Sequence, residues 1–149
     1  MLAHGADPNQ VGLGYPVEFP LYLAAANGRP RCVEALLRGN ANVNLVTTGQ
    51  HTSSLHVATR NGHVEVVKML LEAKAHVNAQ DKLLKTAIHD AARNANEPLV
   101  SCLIAYRADV NCMDIDLIPP LNHTLHMRHD TCKPVHPGSA TCACYAEVT

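Results

Sequence analysis

The C-terminal stretch concentrates side chains able to hold a metal: His123, His126, His129, Cys132, His136, Cys142 and Cys144. Imidazole nitrogens and thiolates bind zinc tetrahedrally, and His126, His129 and Cys132 recur at every third residue. No Cys-x-x-Cys pair accompanies them, and the other spacings match no common zinc module. We therefore assign no metal site and no cofactor. The pairs His89-Asp90 and His129-Asp130 are short enough to arise by chance. No Gly-x-Ser-x-Gly, His-Glu-x-x-His or phosphate-cradling glycine loop occurs. Gly12-x-Gly14 has no strand before it and no helix directly after it, so it makes no nucleotide site. The chain reads as a non-enzyme.

Six cysteines are present, at 32, 102, 112, 132, 142 and 144. The N-terminus has neither the charged start nor the apolar stretch of a signal peptide, so a disulfide framework is not expected. Cys32 and Cys102 fall at apolar helix positions and are expected to be buried free thiols. Ten histidines would move the net charge from −1 to +9 if all were protonated, so helicity should fall between roughly pH 6.5 and 5.

The remaining composition narrows the partners. With 149 residues, 47% of them hydrophobic and 17% charged, the chain can build a core, but 12 basic against 13 acidic residues leave no surplus for nucleic acid. The longest apolar run, Phe19 to Ala26, is far short of the ~18–20 residues of a membrane span. No polybasic stretch suggests a membrane surface. A cytoplasmic or nuclear, intracellular location follows as the expectation. Aromatics are only 3% of the chain, so its core must rest on Leu, Val and Ala. Small residues suit thin, closely stacked helices.

An internal repeat organises these residues. Ala6-Asp7-Pro8-Asn9, Ala41-Asn42-Val43-Asn44, Ala75-His76-Val77-Asn78 and Ala108-Asp109-Val110-Asn111 end 35, 34 and 33 residues apart. A second element keeps its offset: Phe19-Pro20-Leu21-Tyr22-Leu23-Ala24, Ser53-Ser54-Leu55-His56-Val57-Ala58 and Thr86-Ala87-Ile88-His89-Asp90-Ala91. A third is the helical cluster Val66, Val67, Met69, Leu70 and Leu71. Ser53 and Thr86 stand where a helix N-cap belongs, Pro20 at a first helical position, and Gly62 where two antiparallel helices must turn. Each helix pair is too short to bury its own apolar face, so the units must stack.

In these motifs the chain closely resembles the ankyrin repeat, with Ser53 to Asn78 as the best copy, over residues 1 to about 121. The resemblance implies an all-α solenoid of stacked helix-turn-helix pairs with protruding β-hairpins. The divisions are residues 1–10 (a partial repeat), 11–44, 45–78 and 79–111 (full repeats), 112–121 (a truncated start) and 122–149, a divergent and disordered tail. Both ends look cut, as in a fragment or alternative product of a longer protein. His56 and His89 are implied to be structural hydrogen-bonding residues.

The function implied is a non-catalytic scaffold or adaptor for a protein partner. Arg60, Asn61, Asp90, Arg93 and Asn94 are its candidate contacts, together with the hairpin tips. Leu84 and Leu117 occupy tip positions where the family places Gly. With Leu83 and Ile115 they either fold back onto neighbouring hairpins or form a partner-facing patch. Lys74 and Arg107 stand where a left-handed helix cap belongs and should weaken repeats three and four. The alternative function is substrate recognition for a cullin-type ubiquitin ligase, as in ankyrin and SOCS-box proteins, with elongin and cullin as partners only if a parent protein carries that box. The resemblance also makes Asn44, Asn78 and Asn111 candidates for hydroxylation, each with Leu eight residues before it (Leu36, Leu70, Leu103).

Overall fold

The computed structural model describes residues 7–10, 18–120 and 122. The zinc-spaced tail residues, the Gly12-x-Gly14 segment and the assignment of 123–149 as disordered lie outside these. Three helix pairs follow one another: α1 (Pro20–Ala26) with α2 (Pro30–Arg38), α3 (Ser54–Arg60) with α4 (Val64–Glu72), and α5 (Ala87–Arg93) with α6 (Glu97–Ala105). The first helices stack as α1–α3–α5 and the second as α2–α4–α6. This is the expected all-α solenoid.

Local chemistry starts and stops each helix. Pro20 and Pro30 occupy first-turn positions, where a missing N–H costs nothing. Ser53 caps α3, with its hydroxyl accepting from the His56 N–H at 3.4 Å. In return His56 Nδ1 accepts from the Ser53 N–H at 3.3 Å, a capping box closed by imidazole in place of the usual Glu. His89 repeats the arrangement with Thr86, whose N–H donates to its Nδ1 at 3.1 Å. The second helices end in left-handed residues: Asn40, Lys74 and Arg107 have φ of 61°, 66° and 64°. At Lys74 the following Ala75 N–H returns to Leu70 O, which closes the helix end.

The core is one continuous seam of Leu21, Ala25, Val33, Leu55, Ala58, Val66, Val67, Leu70, Ile88, Ala91, Leu99 and Leu103, with alanines where first helices approach closely. Phe19 joins it, buried and edge-on to Tyr22 at 5.7 Å, so the single Phe does serve the core. Each fully buried Leu or Val contributes about 1.5–3 kcal/mol.

One expectation is corrected. Cys32 is exposed, not buried, while Cys102 is half-buried. The positions equivalent to Cys32 are Val66 and Leu99, both buried. Leu99 lies in the last described pair, so its cover comes from the preceding repeat. Cys32 faces the same way from the first described pair, where α2 has no helix before it among the described residues. The connections between helix pairs are tight hairpin turns without extended strands. Among the described residues there is only an isolated antiparallel bridge, Val46 with Ser53. Each arm is closed by a backbone bond, Thr47 N–H to Thr52 O, Asp81 N–H to Lys85 O and Asp114 N–H to Ile118 O, and by side-chain turns. Asp81 Oδ1 accepts from the N–H groups of Leu83 and Lys85 at 2.8 and 3.0 Å, and Asp114 Oδ1 accepts from Asp116 and Ile118 at 3.0 and 2.9 Å. Aspartate thereby takes the donors that a strand ladder would have used.

Candidate interaction surface

The first helices and the arms enclose a groove of about 340 Å³, lined among others by Tyr22, Arg60, Asp81, Leu83, Asp90 and Arg93. Arg60 comes from the last turn of α3, and Asp90 and Arg93 from the next first helix, so stacking alone brings them together. The Arg60 guanidinium forks onto Asp90, Nε to Oδ1 at 3.4 Å and Nη2 to Oδ2 at 3.2 Å. It also lies 3.9 Å from Asp81 Oδ2. Both carboxylates are buried, whereas the Arg60 side chain is 45% exposed. Lys85 reaches Asp114 at 3.9 Å. The buried acids are thus engaged by cations of their own chain. Arg93 is exposed and has no ion pair among the described residues.

Of the expected contacts, Arg60, Asp90 and Arg93 line this groove. Asn61 and Asn94 are drawn into the framework: their Nδ2 groups donate to Ala26 O at 2.8 Å and Arg60 O at 2.6 Å in the preceding repeat. Sequence reasoning missed Tyr22, Gln50, Thr52 and Lys85 as lining residues. Asp114 repeats Asp81 one unit later, on the arm after the one that carries Lys85, and that register was a signal available in advance.

The arm tips remain open. Leu84 is 45% exposed and Leu117 75%, and Leu83, Met113 and Ile115 are exposed as well. Leu84 and Leu117 have φ of 56° and 60°, left-handed backbone of the kind that normally belongs to Gly. Neighbouring tips are tied to one another, Lys82 N–H to Gln50 O and Ile115 N–H to Leu83 O, both at 3.0 Å.

His56 is buried, with Nδ1 accepting from Ser53 and Nε2 donating to Lys85 O at 3.1 Å. Both ring nitrogens are spent in the neutral tautomer, and the ring joins one repeat's cap to the next repeat's arm. Burial lowers its pKa below 6.5, against the pull of the Lys85 carbonyl, Asp90 and Asp81. Burial pushes the Cys102 thiol up. The asparagines proposed for hydroxylation stand at the repeat junctions, where Asn44 and Asn78 bond the following repeat.

The family model of ankyrin repeats (three copies) matches residues 1–81 and 21–114. The chain belongs to the ankyrin repeat family. Over 87 residues it is 39% identical to alpha-latrocrustotoxin-Lt1a of Latrodectus tredecimguttatus, covering 57% of this chain and 6% of that protein. Alpha-latroinsectotoxin-Lt1a of the same spider is 42% identical over 77 residues, covering 51% of this chain and 5% of the toxin. Human transient receptor potential cation channel subfamily A member 1 is 33% identical over 72 residues, covering 43% and 6%. The matched ankyrin segments therefore span a small fraction of these long relatives. Ankyrin repeats are generally protein-interaction modules. The SOCS-box part of the resemblance gains no support from these relatives.

Proposed function

We propose that this ankyrin chain is a non-catalytic adaptor or scaffold whose protein partner lies across the arm tips and the groove beneath them. One observation carries the reading: Leu83, Leu84, Ile115 and Leu117 hold apolar side chains in solvent on two adjoining arms, beside a groove with an exposed arginine. Contiguous exposed apolar surface of this kind marks contact sites, and first-helix side chains supply polar specificity around it. Asn44, Asn78 and Asn111 remain hydroxylation candidates in this reading. Leu70 and Leu103 are buried, so an enzyme that reads the leucine together with its asparagine must first open the repeat.

The test is photo-crosslinking from the tips. A crosslinking residue at position 84 or 117 of the full chain should trap a discrete protein from cells, and the same residue at exposed Lys68 on α4 should not. Trapping equal from all three positions would refute the assignment of this face.

A further inference from the structure

Three features of the open face converge on one kind of occupant. The first is uncompensated charge. Arg60 forks onto Asp90, and Lys85 reaches Asp114, so those cations are already matched. Arg93 repeats Arg60 one unit later in the groove wall. Arg60 finds its carboxylate at position 90, thirty residues on, but the corresponding position from Arg93 is His123, a base. The repeat pattern thus replaces the forked acid with His123 and leaves Asp114, the counterpart of Asp81, already engaged by Lys85; among the described residues the exposed Arg93 in the groove wall has no ion pair.

The second feature is apolar. Leu83 lines the same groove, and the Ile115 N–H bonds to Leu83 O, so the arm bearing Leu117 adjoins the arm bearing Leu83 and Leu84. The third is strain. Leu84 and Leu117 each hold left-handed backbone, at a cost of roughly 1–2 kcal/mol apiece. Folding recovers little of that cost from leucine there, since Leu84 is 45% exposed and Leu117 75%. Strain held at exposed apolar positions points to a contact outside the chain.

We propose that the groove and tips take an extended peptide segment of a partner protein in which a carboxylate side chain is flanked by aliphatic ones. The carboxylate pairs with Arg93, and the aliphatic groups cover Leu83, Leu84 and Leu117. A polyanion such as nucleic acid does not fit, because Asp81, Asp90 and Asp114 are buried along the same face and Asp116 lies exposed beside Leu117. The proposal rests on the protein-binding reading above and specifies the partner's chemistry.

Fluorescence anisotropy on the full chain tests it, with labelled nine-residue peptides that place Leu-Glu-Leu or Leu-Gln-Leu in a Gly/Ser background. The Glu peptide should bind about fivefold more tightly, as expected for one solvent-accessible ion pair. Arg93→Gln should bring the two peptides level, and Lys68→Gln on α4 should leave the difference intact. The double variant Leu84→Gly, Leu117→Gly should weaken both peptides while raising Tm, two opposite effects that loss of folding cannot produce. Equal binding of both peptides, dependent on Leu84 and Leu117, would overturn the acidic specificity and leave the protein-binding surface standing. Binding insensitive to the leucine variants, tighter binding of an oligonucleotide than of the Glu peptide, or no binding of either peptide would overturn the proposal outright. The crosslinking experiment then decides separately whether the face binds protein.

Discussion

Asn44 is bonded to the repeat after its own. Its Oδ1 accepts from the backbone N–H of His76 at 2.8 Å, and its Nδ2 donates to Lys74 O at 3.4 Å. The relationship recurs along the chain: Asn9 accepts from the Asn42 N–H at 2.6 Å, and Asn78 from the Asp109 N–H at 2.8 Å. The recurring register of these asparagines within the sequence is thus a ladder of side-chain bonds between units.

That ladder predicts position-dependent costs. Asn44→Ala and Asn78→Ala should each destabilise by about 1 kcal/mol, the net worth of a lost hydrogen bond with a partner left open to water. Among the described residues the Asn111 side chain accepts no such bond, so Asn111→Ala should cost less than half as much. Urea midpoints of the three variants, at unchanged slope, check the order.

The turn inside each helix pair makes a second prediction. Gly28, Gly62 and Ala95 occupy equivalent positions with φ of 59°, 81° and 50°. Ala95→Gly should therefore stabilise by about 1 kcal/mol by relieving left-handed alanine. Gly28→Ala should do the opposite and by more, since a Cβ there would lie 2.5 Å from the His63 ring. Differential scanning calorimetry should show Tm moving in opposite directions for the two.

Ser54 begins α3 with its hydroxyl fully buried and unpaired among the described residues. The equivalent position is Ala87 in α5 and Pro20 in α1. Ser54→Ala should raise stability by about 1 kcal/mol, because an unsatisfied buried hydroxyl is a net cost. A thermal melt in which alanine lowers Tm would show that the hydroxyl holds a bond.

His56 sets a pH dependence whose sign follows from its lowered pKa. The folded state favours the neutral ring, so below 6.5 the unfolded chain binds more protons. Stability is full above 6.5 and is lost as the pH falls from there through the folded-state pKa. Protonated Nδ1 could no longer accept from the Ser53 N–H. His56→Gln should flatten this decline while keeping the helix start, since Gln can close the same capping box. Chemical denaturation at pH 7.5 and pH 5.5 for both proteins measures the difference.

Whatever rests on near neighbours in the chain was legible before any coordinates. Helix periodicity, the Ser53 and Thr86 caps, and the left-handed sites at Lys74 and Arg107 depend on contacts three to five residues apart. The candidate site was legible only in part. Arg60, Asp90 and Arg93 were recognisable as first-helix residues, but that Arg60 pairs with Asp90, thirty residues away, while Arg93 has no ion pair among the described residues, was not.

The amino-acid sequence by itself determined the repeat, its period and the fold class, because each unit writes its helices with the same spacing of Leu, Ala and Asn. Tertiary structure alone decided which of those positions are covered. Cys32 and Leu99 are equivalent in the pattern, yet one is exposed and the other buried. It likewise decided that Asn61 and Asn94 bridge repeats and that Leu84 and Leu117 stand open. Burial in a stacked array depends on which neighbour is present and how it is phased, and no single repeat encodes that.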